Sequence, residues 1–289
     1  MELFRALAVL AEPPTQEAAR VASALGLGPV PDASTYTELF IFQLYPYASV
    51  YLGAEGMIGG EARELVAGFW RALGQKPAAE ADHLSVMLAL YARLAELEED
   101  ESDAQRREGW RVARKAFLWE HLLSWLPAYL SKVSDIAPPF YKSWSEILLN
   151  ALFAEADRVG EQEQLSLHLR EDYGLIDPRA AAAEDFLQSL LAPAHCGMIL
   201  VRSDLSRASE KLKLGLRLGE RKFVLKSMLG QDAEGTLEWL AREAEVWANR
   251  HRLGRESLGE TARVWENRAH ASAALLRDLK LAAREVSAG

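Results

Sequence analysis

The chain has 289 residues, 49% of them hydrophobic, and a formal net charge of −9, so it is long enough for one large domain or two ordinary ones and apolar enough to fold around a core. A single cysteine, Cys196, excludes an intramolecular disulfide and any multi-cysteine zinc or iron–sulfur centre, which suits a reducing compartment. Residues 1–150 carry 20 acidic and 13 basic side chains, a balance of −7 against −2 in the remainder, so the first half should repel nucleic acid and favour a basic partner.

Helical periodicity runs along almost the whole chain, and the fold class it predicts is all-α. Leu3–Leu10 forms a first amphipathic segment that ends at Pro13-Pro14. Gln16–Leu25 forms a second, stopped by the glycines and prolines of Gly26–Pro31. Asp32 or Ser34 can cap a third, through Tyr36, Leu39, Phe40 and Leu44 to Pro46. From Pro46 to Gly60 the chain is rich in glycine, aromatic and apolar residues, the composition of a structured loop packed against something else. Glu61 opens a helix with Leu65, Phe69 and Leu73 on one face. After Pro77–Asp82 comes a long helix from His83 whose tail is the charge run Glu96–Asp103.

The central element is Phe117–Val133, FLWEHLLSWLPAYLSKV, in which only Glu120 and Lys132 are charged. Phe117, His121, Ser124 and Trp125 share one of its faces, and Pro127 predicts a kink or restart near Leu123–Ser124. Pro138-Pro139 closes it, and Tyr141–Ala156 is helical again. The polar stretch 161–179 reads as a linker between a first domain, 1–160, and a C-terminal helical extension, 180–289. In the extension, helices are predicted over Ala180–Leu191, Asp204–Leu212 with Ser203 as cap, Glu220–Leu229, Ala233–Arg250 and Thr261–Arg284.

Three motifs in order, the loop PYASVYLGAEGMIGGEA, the helix opening Asp82-His83-Leu84, and HLLSWLPAY followed by PPFY, resemble the TorD/DmsD/NarJ family over roughly residues 1–160. The resemblance implies a TorD-like helical bundle and a cytoplasmic, non-enzymatic chaperone without a cofactor of its own. Its implied partner is an apo molybdoenzyme client, bound through its twin-arginine signal peptide or N-terminal region. The implied peptide-binding surface comprises Tyr36, Leu39 and Phe40, then Pro46, Tyr47, Ser49, Val50 and Tyr51, then Asp82 and His83, and His121 with Trp125. Some members carry tryptophan after the loop proline, where this chain has Tyr47.

Two adjacent guanidinium groups beside an apolar run call for carboxylates and an apolar groove. Asp82, Glu55 and Glu61 are the carboxylates nearest the motif residues in sequence, and the aromatic loop supplies groove material. Ordinary structural roles are available to the same residues. Asp82 can cap its helix, His83 and His121 can be satisfied core histidines, and Phe117 and Trp125 can be packing, whereas Tyr47 and Tyr51, being on a loop, should be exposed.

Two other functions remain in view. A helical metal-dependent hydrolase would use Asp82, His83 and His121, but the chain has no helical HxxxH or HExxH pair. Residues 201–230 hold eight basic and three acidic side chains in two helical segments around a glycine-containing turn, compatible with a helix-turn-helix. No run approaches the roughly 20 apolar residues of a membrane span, and the start lacks a secretory signal. The partner reading is therefore a protein client, with no nucleic acid and no stable membrane insertion, and with exposed groove residues that permit a homodimer.

Overall fold

The computed structural model of the chain describes residues 1–215 and 219–288. Every regular element among them is helical, and the one extended pairing is an isolated antiparallel bridge between Tyr47 and His83, in agreement with the all-α reading. Two compact units are present: Met1–Ser49 with Ile58–Arg170, and Val50–Met57 with the chain from Glu171 onward. The stretch 161–179, read from the sequence as a linker, is divided by this partition, with 161–170 in the first unit and 171–179 in the second.

The first unit begins with α1 (Glu2–Val9), α2 (Gln16–Ala24) and α3 (Ala33–Tyr36), which runs on as a π-helical turn, Thr37–Gln43. Asp32 caps α3, its Oδ1 accepting from Thr35 N–H at 2.8 Å. The loop expected over Pro46–Gly60 contains a short helix, α4 (Ala48–Leu52), whose residues from Val50 on are grouped with the second unit, before α5 (Gly60–Ala72). Next come α6 (Leu84–Asp100) and α7 (Ala104–Phe117), separated within the charge run where Asp103 accepts from Arg106 N–H at 2.9 Å. α8 (Leu126–Ile136), α9 (Pro139–Val159) and α10 (Leu167–Arg170) complete the unit.

α1 packs on α6, α6 on α7 and α8 on α9. Helix ends leave carbonyls without partners, and in this unit large buried aromatic side chains supply them. Trp144 Nε1 donates to Leu7 O near the end of α1 (3.1 Å), Tyr36 OH to Ala11 O (3.3 Å), and Tyr129 OH to Leu44 O (3.4 Å). Each aromatic group thereby buries a large apolar body while its polar tip stays bonded. Phe40 joins them, edge-on to Tyr141 and Trp144.

The break predicted at Pro127 is present. α7 continues as a π-helical turn, Leu118–Leu122, the helix lapses over Leu123–Trp125, and α8 restarts with Pro127 in its first turn, where no N–H is required. The carbonyls freed by the lapse are taken up locally: Trp119 O by Ser166 Oγ (2.9 Å), Glu120 O by Ser124 Oγ (2.8 Å) and His121 O by Trp125 Nε1 (2.9 Å).

The second unit contains α11 (Ala183–Leu191), α12 (Pro193–Cys196), α13 (Arg202–Leu212), α14 (Arg221–Gln231) and a long pair, α15 (Ala233–Leu253) with α17 (Glu260–Ala288), joined through the short α16 (Arg255–Leu258). Ser203 does not cap α13. Val201 occupies the cap position, and Asp204 Oδ2 reaches back to its N–H at 2.9 Å. Gly197 has φ +71°, and a Cβ there would lie 2.4 Å from Ala269 N, so only glycine allows this approach to α17. Leu216, Arg217 and Leu218, in the glycine-containing turn of the basic segment, lie outside the described residues. α13 ends at Leu212 and α14 starts at Arg221, too far apart for the turn of about three to four residues in a helix-turn-helix. Lys222 and Lys226 are paired with Glu184, and Arg221 donates to Leu200 O.

Candidate peptide-binding site

Asp82 ends the lead into α6, and its backbone and side chain together hold the start of the loop. Leu84 N–H donates to Pro46 O (2.8 Å), Ala48 N–H to Asp82 O (3.0 Å), and Asp82 Oδ2 accepts from both Ser49 N–H (3.1 Å) and Ser49 Oγ (2.5 Å). Ser49 Oγ also accepts from Gly59 N–H at 3.0 Å, which ties the far end of the loop to the same point. Asp82 is only 1% exposed and does not cap α6, whose cap residue is His83. Its carboxylate is committed to the loop, and its second oxygen is buried without a hydrogen-bond partner.

Tyr47 and His83, bridged through their backbones, also meet as rings 4.8 Å apart at 72°. His83 Nδ1 lies 2.8 Å from Ser85 Oγ, and Ser85 Oγ bonds the carboxylate of Glu12 closely. Burial lowers the His83 pKa, and the nearby carboxylates of Glu12, Glu80 and Asp82 oppose that shift. The Tyr47 phenol is pushed up to about 12, first by burial and then by its hydrogen bond to Glu80 and the surrounding negative charge. Glu12 and Glu80, both exposed, therefore form an acidic rim around a half-buried tyrosine and a buried histidine. Neither glutamate was legible as a site residue. Glu12 belongs to the turn after α1, and only the fold carries it to Ser85, 73 residues away.

His121 and Trp125 lie in a different environment. His121 is 4% exposed and is surrounded by the rings of Phe69 (5.4 Å), Phe117 (5.2 Å) and His168 (6.2 Å). Its Nδ1 has no hydrogen-bond partner, and neither has His168 Nε2. Burial, and secondarily His168, pushes the His121 pKa down to about 3, and burial takes His168 to about 4, so both rings are neutral. Trp125 is fully buried against Tyr129.

Tyr36, Leu39 and Phe40 are core residues of the first unit, and Tyr36 faces the acidic rim closely enough that Glu12, Tyr47 and Glu80 add to the upward shift that burial imposes on its phenol. Val50, Tyr51 and Glu55 belong to the second unit. Tyr51, expected on the surface, is 2% exposed, because the loop that carries it is folded into α4 and packed. Of the fourteen residues nominated from sequence, Tyr47 is half-buried, Glu55 and Glu61 are exposed, and the rest are buried. Pro46, Tyr47, Ser49, Asp82 and His83 are brought together; His121 and Trp125 form a separate cluster. Among the described residues no three His, Cys, Asp or Glu side chains converge as a metal site, so the hydrolase alternative finds no ligand set there.

Residues 29–131 match the family model described as nitrate reductase delta subunit. The chain is similar to the chaperone protein TorD of Vibrio vulnificus strain YJ016, at 30% identity over 138 residues, 43% of this chain and 62% of that protein. It is similar also to the TorD chaperones of Vibrio parahaemolyticus, 27% identical over 126 residues (40% and 59% of the two chains), and Photobacterium profundum, 31% identical over 88 residues (29% and 41%). The chain thus spans less than two thirds of the length of the curated relatives it matches. No solved structure matches it.

Proposed function

The chain belongs, through residues 29–131, to the TorD/DmsD/NarJ family, and on that premise we propose that it is a cytoplasmic chaperone for an apo molybdoenzyme, holding the client's signal peptide or N-terminal region until maturation is complete. Residues 1–160 would be the chaperone domain and 180–289 an extension that enlarges or regulates it. The observation that carries this reading is the meeting of two family motifs: the loop at Pro46–Ser49 and the Asp82-His83 helix opening are held to each other by side-chain and backbone hydrogen bonds.

The roles within the site follow from burial. Asp82 and Ser49 position the loop, while Tyr47 with Glu12 and Glu80 presents a carboxylate-and-phenol surface suited to a guanidinium. Desolvation disfavours the charged form of the His83 ring, against the pull of Glu12, Glu80 and Asp82. Negative charge over the first half adds long-range attraction for a cationic segment. Among the described residues no helix is long and apolar enough to cross a membrane.

The experiment is capture of the tagged full-length chain from its own cells under molybdate limitation, followed by mass spectrometry of what co-purifies, in parallel with a Glu80→Lys variant. A molybdoenzyme large subunit retaining its N-terminal segment is expected with the unaltered chain and strongly depleted with the variant. Recovery of no such subunit, or equal recovery by both, would remove respectively the client class or the acidic rim from the proposal.

A further inference from the structure

Elsewhere in the first unit, a groove of about 530 Å³ opens between α5, α7 and the segment leading into α10. Its apolar lining is Phe69, Val112, Ala116, Trp119 and Leu167. Val112 and Leu167 are 55% and 50% exposed, an unusual cost for large aliphatic groups lining one concavity. The wall is a built element. Trp119 Nε1 donates to Gly160 O (3.0 Å), Ser166 Oγ to Trp119 O (2.9 Å), and Leu167 N–H to Glu120 Oε1 (2.6 Å). It also lies beyond residue 131, where the family match ends.

The wall carries a cation towards each end. Lys115 Nζ stands beside Gly160 where the wall begins, 3.8 Å from where a Cβ on that glycine would be, and Arg170 closes it. Among the described residues neither makes an ion pair within 4.0 Å. Arg170 spends its hydrogen bonds on Leu165 O and Gln164 Oε1, and Lys115 has no bonded carboxylate. The neighbouring negative groups are accounted for: Glu108 holds Arg111, and Glu120 is turned inward to Leu167 N–H, leaving Glu163 as the one outward carboxylate in the lining. Lys115 at one end and Arg170, which shares its charge with the half-buried Glu120, at the other flank an apolar trough and complement a ligand with the opposite pattern.

We propose that this groove is a second docking site, for an acidic segment of a partner protein in which carboxylates flank one or two aliphatic side chains. The carboxylates meet Lys115 and Arg170, and the aliphatic groups cover Val112 and Leu167. The volume is that of a site taking a few side chains, and the site differs in sign from the acidic rim at Tyr47, so it does not depend on the reading of that rim.

Fluorescence polarisation of the full chain with a labelled peptide Glu-Glu-Leu-Leu-Glu-Glu, beside Lys-Lys-Leu-Leu-Lys-Lys, tests it. The acidic peptide is expected to bind, with at least about tenfold loss in Lys115→Glu and in Val112→Glu, and with weakening as salt rises. Arg170→Glu is a third variant, read only if its thermal melt matches the parent, since Arg170 also braces Leu165. Binding of the basic peptide as tightly, or acidic-peptide affinity unchanged in both Lys115→Glu and Val112→Glu, would overturn the proposal. So would displacement of the peptide by self-association of the chain at higher concentration.

Discussion

His83 and His121, both nominated by the same family motifs, occupy opposite surroundings. His83 has Tyr47 on one side, Ser85 at its Nδ1, and the carboxylates of Glu12, Glu80 and Asp82 within electrostatic reach. His121 has three rings around it, no carboxylate among the causes of its shift, and an Nδ1 with no partner. Burial lowers both pKa values, but only at His83 does negative charge oppose the fall. A motif histidine therefore does not carry its role with it: polar neighbours make one a candidate for recognition, and aromatic neighbours make the other a piece of core.

The largest effect that would sharpen this contrast comes from the carboxylate behind His83. Asp82→Ala leaves Ser49 N–H and hydroxyl without their buried acceptor, and should cost about 3 kcal/mol of stability, measured by urea denaturation. A cost near zero would show the loop to be held by other means. Any loss of peptide affinity in this variant should accompany loss of the loop's order, visible as faster hydrogen exchange at Ser49 and Gly59.

Acid should act next, and on the other histidine. In the folded chain His121 and His168 have pKa values pushed down to about 3 and about 4, whereas in the unfolded chain each protonates near 6.5. Below about pH 6.5 the unfolded state holds more protons, so stability present at neutral pH is lost as pH falls, by on the order of 2 kcal/mol per ring at pH 5. Urea midpoints at pH 7 and pH 5 read this directly. His251 in the second unit, pushed down to about 4 by burial, contributes in the same direction. The contribution of the His121–His168 pair is the part that disappears in a His121→Phe/His168→Phe double variant.

The smallest effects separate the two rings most plainly. His83→Phe deletes the ring nitrogen beside Ser85 and should destabilise by about 1 kcal/mol. His121→Phe removes an unbonded buried nitrogen and keeps the ring, and should be neutral or stabilising by up to about 1 kcal/mol. Equal costs for both substitutions, measured in the same denaturation assay, would erase the distinction.

Much of this architecture was legible in periodicity. The long helices, the Pro127 restart and the Asp32 cap each rest on local chemistry that spacing and residue type express. The π-helical turns over Thr37–Gln43 and Leu118–Leu122 were not legible, since they depend on where Leu39, Phe40 and the aromatic cluster around His121 must sit in the core. Asp204 reaching back to Val201 was missed because Ser203 was the more usual cap residue. At the site, Asp82, His83 and Tyr47 were found through motifs, but Glu12 and Glu80 were not, and Glu55 was nominated by proximity in sequence although it belongs to the second unit. Nearness along the chain is a poor guide to which carboxylate faces a given ring. Exposure was equally hidden at Tyr51, where an apolar loop composition signified packing.

The excursion of Val50–Met57 into the second unit bears on synthesis at the ribosome. Within that unit Gln188 Nε2 donates to Glu55 O at 2.6 Å across a separation of 133 residues. Gly56, at φ +61°, comes so close to Ala192 that a Cβ would fall 2.9 Å from its Cα. A nascent chain therefore exposes Val50, Tyr51 and Leu52 long before the helices that complete their unit have left the exit tunnel, an interval in which apolar surface is open to aggregation. Translation that stops near Arg170 would yield a polypeptide carrying nearly all of the first unit together with an orphaned fragment of the second. The C-terminal half is for this reason a late-arriving cover for a segment translated early, whatever else it binds.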